Sequence, residues 1–315
     1  MSPIDELLGR VTSGGRCHAG TDIVAALVSR VHALRLADDV IAGGDLIGSA
    51  LRELDVAVTI YRQTSHSDEV GRRLLGLVGE FAQITGWIAG DAGRHRRAAE
   101  LYRLGIGAAR EAGDGIVESN LVGSLAYQIS NVGDPVAAVG LAEASLAAAA
   151  PIPSARARAL AWDRLAWAHA RAGDVQATVR ALGSAAEALA AGTGEAEPSY
   201  LYWVDESELQ IMEARAYTEL RRPLRAIPLL TEVLARYDTA RTRELAIYSS
   251  WLAVALVDAN EPEEAAAVAG RMLDLSAGMS SDRARRRAAT VLRRLAEHRD
   301  IPAVADVLDR CRAGA

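Results

Sequence analysis

Gly123-Ser124-Leu125-Ala126-Tyr127-Gln128-Ile129-Ser130-Asn131-Val132-Gly133-Asp134-Pro135-Val136-Ala137-Ala138-Val139 reads as the end of one helix, a tight turn and the start of another. Pro135 fits the first turn of the second helix, where a backbone N–H has no intrahelical partner. The same turn recurs at Gly44-Asp45, Gly90-Asp91, Gly173-Asp174, Arg222-Pro223, Glu261-Pro262 and Asp300-Ile301-Pro302. The turns stand about 40–48 residues apart, within the periods that signal stacked helical pairs. Such an array has no single core and offers a long curved surface.

The spacing predicts helical pairs at 21–42 with 45–63, 68–89 with 94–112, 115–132 with 135–149, 154–172 with 175–191, 200–220 with 224–238, 241–259 with 262–277, and 281–298 with 302–312. Thr21 and Asp22 are placed to cap the first helix, and Gly43-Gly44 to stop it. Small residues just past the turns, in Arg97-Ala98-Ala99, Val136-Ala137-Ala138 and Glu264-Ala265-Ala266, let the second helix approach the first closely. That is the tetratricopeptide rule, with a longer period. The fold expected is all-α, a right-handed superhelical solenoid of about seven helix pairs. Residues 1–20 read as a flexible arm with one short helical turn, and 21–315 as one helical-repeat domain. Ala191 to Ser199 is a candidate hinge. No run alternates as a strand would.

Half of the residues are hydrophobic, aromatics make up 4%, and the net charge is −6 with no Lys at all. An acidic chain argues against direct nucleic-acid binding. Arg283, Arg285, Arg286, Arg287, Arg293 and Arg294 crowd the last pair, most simply as a solvated helix face. Cys17 and Cys311 have no metal spacing, no signal-peptide core is present, and no apolar run approaches the ~18 residues of a membrane span. A cytoplasmic protein is expected. Metal, phosphate-loop and nucleophile-elbow signatures are absent, so no catalytic residue, metal or cofactor is assigned.

If first helices line the concave side, polar residues at three- and four-residue spacing on them face the groove. His32, Arg35 and Asp39 align on the first. Glu80, Gln83 and Trp87 align on the second. Asn120, Ser124, Gln128 and Asn131 align on the third, with Tyr127 beside them. Asp163 and Trp167 share a face of the fourth, and Tyr202, Tyr248 and Trp251 extend the set. Amide side chains offer a donor and an acceptor to a peptide backbone, aromatics offer apolar platforms, and Arg35 can clamp a carboxylate. The same residues also fit plainer roles. The indoles can pack between repeats, and His32, Arg35 and Asp39 can be an internal ion-pair set.

Several strings carry a family likeness. They include His32-Ala33-Leu34-Arg35-Leu36-Ala37-Asp38-Asp39, Gly79-Glu80-Phe81-Ala82-Gln83-Ile84-Thr85-Gly86-Trp87, Ala161-Trp162-Asp163-Arg164-Leu165-Ala166-Trp167-Ala168 and Tyr200-Leu201-Tyr202-Trp203-Val204. With the opening string, they resemble the C-terminal tetratricopeptide-like region of actinobacterial helix-turn-helix regulators of the Xre type, over about residues 22 to 312. The stretch before Thr21 is too short for the DNA-binding domain such regulators carry. The resemblance implies a regulatory or sensor protein whose concave face receives a peptide or small molecule, with a protein partner or a homodimer as further possibilities. A solenoid recruited as a biosynthetic enzyme, using groups such as Asp38, Asp39, Glu80 and His32, and a protein–protein adaptor without small ligand, are the alternatives.

Overall fold

The computed structural model describes residues 3–12, 17–151, 154–192 and 197–313. A first helix, α1 (Pro3–Thr12), precedes seven pairs: α2 (Thr21–Val40) with α3 (Gly43–Gln63), α4 (Asp68–Asp91) with α5 (His95–Ala112), α6 (Gly115–Val132) with α7 (Pro135–Ala149), α8 (Ala155–Ala172) with α9 (Val175–Ala190), α10 (Glu206–Glu219) with α11 (Pro223–Arg236), α12 (Thr242–Asp258) with α13 (Pro262–Ser276), and α14 (Asp282–Leu295) with α15 (Pro302–Ala313). The fold is the all-α, tetratricopeptide-like solenoid that the turn spacing implies. One isolated bridge, between His18 and Ser65, is the only strand-like pairing among the described residues. No helix of these residues is long and apolar enough to cross a membrane.

The pairs form for the reasons legible in the turns. Asp114, Asp134, Ser154, Asp174 and Ser281 each accept a backbone N–H of the helix they precede. That satisfies an otherwise orphaned donor. Pro135, Pro223 and Pro262 stand in first turns. Gly113 and Gly173 close α5 and α8 in the left-handed conformation. Four residues past the residue preceding five of the seven second helices, Ala98, Ala138, Thr178, Ala226 and Ala265 are fully buried. Their short side chains set the close approach of each second helix to its first.

Four local expectations are corrected. Residues 3–12 form a ten-residue helix, with Ile4 and Leu7 buried, where a single turn was expected. Gly20, with no side-chain bond, precedes α2, so neither Thr21 nor Asp22 is its cap. Gly43 and Gly44 do not stop α2, which ends at Val40; they open α3. The fifth pair starts late, because Ser199–Leu201 is a 3-10 turn and α10 begins only at Glu206, capped by Asp205. Tyr200, Leu201 and Val204 are instead buried in the N-terminal half of the core. Of the candidate hinge 191–199, residues 193–196 lie outside the described residues. Glu197 next to them accepts backbone N–H groups of Ala155 and Arg156 at the start of α8.

The array curls until its last repeats touch its first. The Gly44 N–H donates to the Ser280 carbonyl at 2.9 Å. A Cβ on Gly44 would lie 2.6 Å from that carbonyl oxygen, and one on Gly43 would lie 2.6 Å from the Ile88 carbonyl oxygen. Glycine is therefore required at both positions by close backbone approach, not by helix termination. Across this seam Arg243 of α12 donates to Asp38 Oδ1 at 3.2 Å and to the Ile41 carbonyl at 3.0 Å.

Candidate ligand-binding cavity

Closure of the array encloses two adjoining cavities lined mainly by first helices. The larger, about 310 Å³, is walled by α4, α6, α8, α10, α12 and α14. The smaller, about 120 Å³, lies towards α2 and the 199–203 segment. Trp87, Tyr127, Arg215, Ile247 and Arg283 border both.

The partition is a ladder of rings and guanidinium groups. Trp87 stacks on Tyr127 with centroids 5.6 Å apart, Tyr127 leans on Trp167 at 6.2 Å, and Trp167 meets Trp251 edge-on at 5.6 Å. Arg164 lies 4.4 Å from the Tyr127 centroid, Arg215 4.8 Å from Trp167, Arg283 5.2 Å from Trp87, and Arg287 3.4 Å from Trp251. Such cation–π contacts are worth about 0.5–2 kcal/mol each, more as they are desolvated. The Arg215 Nη2 also donates to the Tyr127 hydroxyl at 2.6 Å. Burial opposes ionisation of this phenol, yet the positive charges of Arg215, Arg283 and Arg164 and the Arg215 hydrogen bond outweigh it and hold its pKa below the usual phenol value.

The repeat explains which side chains meet here. Trp87, Tyr127, Trp167 and Arg215 each stand seven residues before the residue that precedes the next helix: Arg94, Asp134, Asp174 and Arg222. Arg35 holds the same place before Ala42. Three residues before those caps stand Asp39, Asp91, Asn131, Arg171 and Glu219, all of which line one cavity or the other. About one turn of helix separates a ring or guanidinium in the floor from a polar group nearer the turn.

Several of the residues singled out from sequence converge. Arg35, Asp39, Gln83, Trp87, Asn120, Tyr127, Tyr202 and Tyr248 line the smaller cavity, while Gln128 and Trp167 join Trp87 and Tyr127 in the larger. Arg35 is paired with Glu80 at 2.9 Å, not with Asp39. Asp39 instead accepts from the Tyr202 hydroxyl at 2.7 Å and lies 3.5 Å from Arg241. Gln83 donates to Ser124 at 3.1 Å, and Tyr248 to Glu208 at 2.7 Å. Burial, only partly offset by the Tyr248 hydrogen bond and by Arg215, pushes the Glu208 carboxyl up to about 7.

The remaining four sit elsewhere. His32 does not line either cavity; its ring packs edge-on behind Tyr202, 6.0 Å away. Glu80 and the buried Ser124 stand behind Arg35 and Gln83. Asp163 opens onto a separate cleft between α8, α9 and α10, 4.0 Å from Arg164, and burial raises its carboxyl to about 6. The four groups considered for acid/base chemistry are dispersed: Asp38 is bound to Arg243, Asp39 to Tyr202, Glu80 to Arg35, and His32 packs against Tyr202.

The arginine run of α14 is not only a solvated face. Arg283, Arg286 and Arg287 line the larger cavity, whereas Arg285 points outward and is 74% exposed. Arg164, Arg215, Glu208 and Asp91 were also missed. The shared position before each turn would have found Arg215 and Asp91.

No protein-family model matches this chain, and neither does any curated protein. Solved structures do resemble it. A Rap protein complexed with Competence and Sporulation Factor superposes with a TM-score of 0.54 at 12% identity, covering 99% of this chain and 88% of the other. The apo form of the quorum sensor NprR from B. thuringiensis gives 0.52 at 14% identity, covering 92% and 79%. BtubC (BKLC) from P. vanneervenii gives 0.50 at 18% identity, covering 73% and 89%. At these identities the likeness is one of fold.

Proposed function

We propose that this protein is a regulatory binding solenoid that takes a peptide or small molecule into its central cavities. One observation carries the reading: rings and polar groups at two repeat positions, drawn from successive first helices, converge on one concave cavity. A concave site of this size, with five aromatic rings set among convergent polar and charged groups, has the character of a ligand site. The overlap in fold with a quorum sensor and with a Rap protein complexed with Competence and Sporulation Factor supports a sensor role. So does the resemblance to the sensor region of Xre-type regulators. Ligand contact with several first helices would favour one packing of adjacent pairs over another and alter the curl of the array, a shear-type response.

The test is native mass spectrometry of protein purified gently from its own host, with any retained molecule identified after release. Retention is expected in the native protein and is lost in an Asn120→Ala, Gln128→Ala double variant whose circular dichroism melt is unchanged. Undiminished retention in that variant would defeat the assignment.

A further inference from the structure

The charges around the larger cavity do not balance. Three of its arginines have partners: Arg283 lies 3.3 Å from Asp91, Arg286 lies 2.6 Å from Asp282, and Arg171 is bound to Glu219. Arg215 and Arg287 remain, and neither has an ion pair among the described residues. Both flank one indole, with guanidinium carbons 5.4 Å and 3.4 Å from the Trp251 centroid. Arg215 is only 8% exposed. Its Nη2 is used by Tyr127, and Arg287 uses Nε and Nη2 on Ser250. Burying Arg215, and half-burying Arg287, without a directly paired carboxylate is costly, and the two like charges repel; Asp163 favours the charge of Arg215 and Glu219 that of Arg287, both from beyond ion-pair distance. Burial and the neighbouring Arg215 charge accordingly depress the basicity of Arg287.

A second observation is independent of charge. The Trp167 Nε1 and the Arg215 Nε are buried and have no hydrogen-bond partner. Both belong to side chains that line this cavity, and Trp167 is 4% exposed. Unused buried donors are rare in folded proteins, because each forfeits its hydration without compensation. Gln128, on the same wall, leaves its Oε1 unused while its Nε2 donates to the His95 carbonyl.

Resting on the binding role proposed above, we infer that the larger cavity holds an acidic group of its ligand, an oxyanion seated between Arg215 and Arg287 with Trp167 Nε1 as a further donor. The anion supplies the missing counter-charge and accepts from the unused N–H groups. The body of the ligand lies on the rings of Trp87, Tyr127 and Trp251, and Gln128 Oε1 accepts from any N–H it carries. The preference is built on the inner wall alone, since the chain as a whole is acidic. A cationic cavity inside an acidic protein draws an anion to this one place.

Isothermal titration with three probes of one frame tests this: 3-phenylpropionate, phenyl phosphate and the neutral 3-phenylpropionamide. The expected result is that at least one acid binds about tenfold or more tightly than the amide, because charge-assisted bonds are lost in the amide. The two acids distinguish a carboxylate seat from a phosphate seat. Arg215→Met and Arg287→Met should each reduce acid binding about tenfold, with the amide unaffected and Arg285→Ala indistinguishable from the native protein. If Arg215→Met does not fold, Arg287→Met carries the test. Equal binding of acids and amide overturns the inference, as does acid binding that survives Arg287→Met or fails to saturate by ~10 mM. A neutral or cationic molecule retained by the native protein, and lost in the Asn120→Ala, Gln128→Ala variant, would keep the cavity as a binding site while removing its anion seat.

Discussion

Two arginine clusters border the same cavity, and they are built differently. At the seam, Arg243 and Arg283 share Asp91 and Glu244, Arg243 also pairs with Asp38, and Asp91 receives the Gly43 N–H and the Ser281 hydroxyl at 2.8 Å each. In the floor, Arg215 and Arg287 have rings and neutral acceptors but no carboxylate. The first arrangement gives every guanidinium a carboxylate, although Arg283 Nε and Glu244 Oε2 have no hydrogen-bond partner, and it joins helices distant in sequence. The second lacks a carboxylate, and its guanidinium groups tie α10 and α14 to the ring ladder through Tyr127, Ser250 and Trp251. Pairing thus separates guanidinium groups that hold the fold from those left available to a ligand.

The sharpest way to break that contrast is to remove the shared carboxylate. Asp91→Ala takes one carboxylate from two guanidinium groups, leaves the Gly43 N–H and the Ser281 hydroxyl without that acceptor, and should lower unfolding free energy by about 3–5 kcal/mol in urea denaturation. Arg287→Met removes a cation that has no ion pair and should change it by about 1 kcal/mol or less. Equal losses in the two variants would erase the distinction.

Gly44→Ala addresses the seam by sterics alone. A Cβ there meets the Ser280 backbone, so the ends should part while each pair stays folded. The expected readout is a larger radius of gyration in X-ray scattering with helical circular dichroism unchanged. An unchanged radius would mean that closure does not depend on this contact.

Acidity resolves the seam further. Burial raises Asp38 to about 6 despite Arg243, whereas Asp91, although burial acts against it, is held below the usual carboxylate value by Arg283 and Arg243. A raised carboxyl binds its proton more readily in the folded chain, so stability should increase as pH falls from about 7 towards 4. Asp38, Asp163 and Glu208 act in the same direction, each for a gain on the order of 2–3 kcal/mol. Below the unfolded value of 3.8 the sign reverses: the Asp91 contribution is lost as pH falls through its lowered folded value. A stability maximum near pH 4–5 in urea titrations is expected, and a monotonic decline from pH 7 would contradict it.

The smallest effect belongs to Arg285, which shares α14 with Arg283 and Arg287 but makes only an exposed pair with Asp282. Arg285→Ala should change stability by less than ~0.5 kcal/mol, as exposed ion pairs rarely contribute more.

The boundaries of most helices were legible, because Pro135, Pro223 and Pro262 and the capping Asp134 and Asp174 act within one turn of their own position. The 199–205 segment was not. Its helical spacing was overruled when Tyr200 and Leu201 found the N-terminal core, more favourable than another turn of helix. In the site, Trp87, Tyr127 and Trp167 were legible as a series forty residues apart. Arg215, at the equivalent place before the fifth turn, was overlooked because polar stripes were sought within each helix and not from repeat to repeat. His32 and Asp163 were misplaced because three- and four-residue spacing defines a stripe wider than the strip facing the cavity.

Sequence by itself determined the helices, their pairing and the close approach of each pair, since caps, prolines and small residues act over one turn or one neighbour. The tertiary structure alone decided that the array meets itself, that Gly43 and Gly44 serve a junction, and that Arg243 is paired while Arg215 is not. Those outcomes depend on a small rotation repeated from pair to pair, whose sum brings Asp38 beside Arg243 and is written at no single position in the chain.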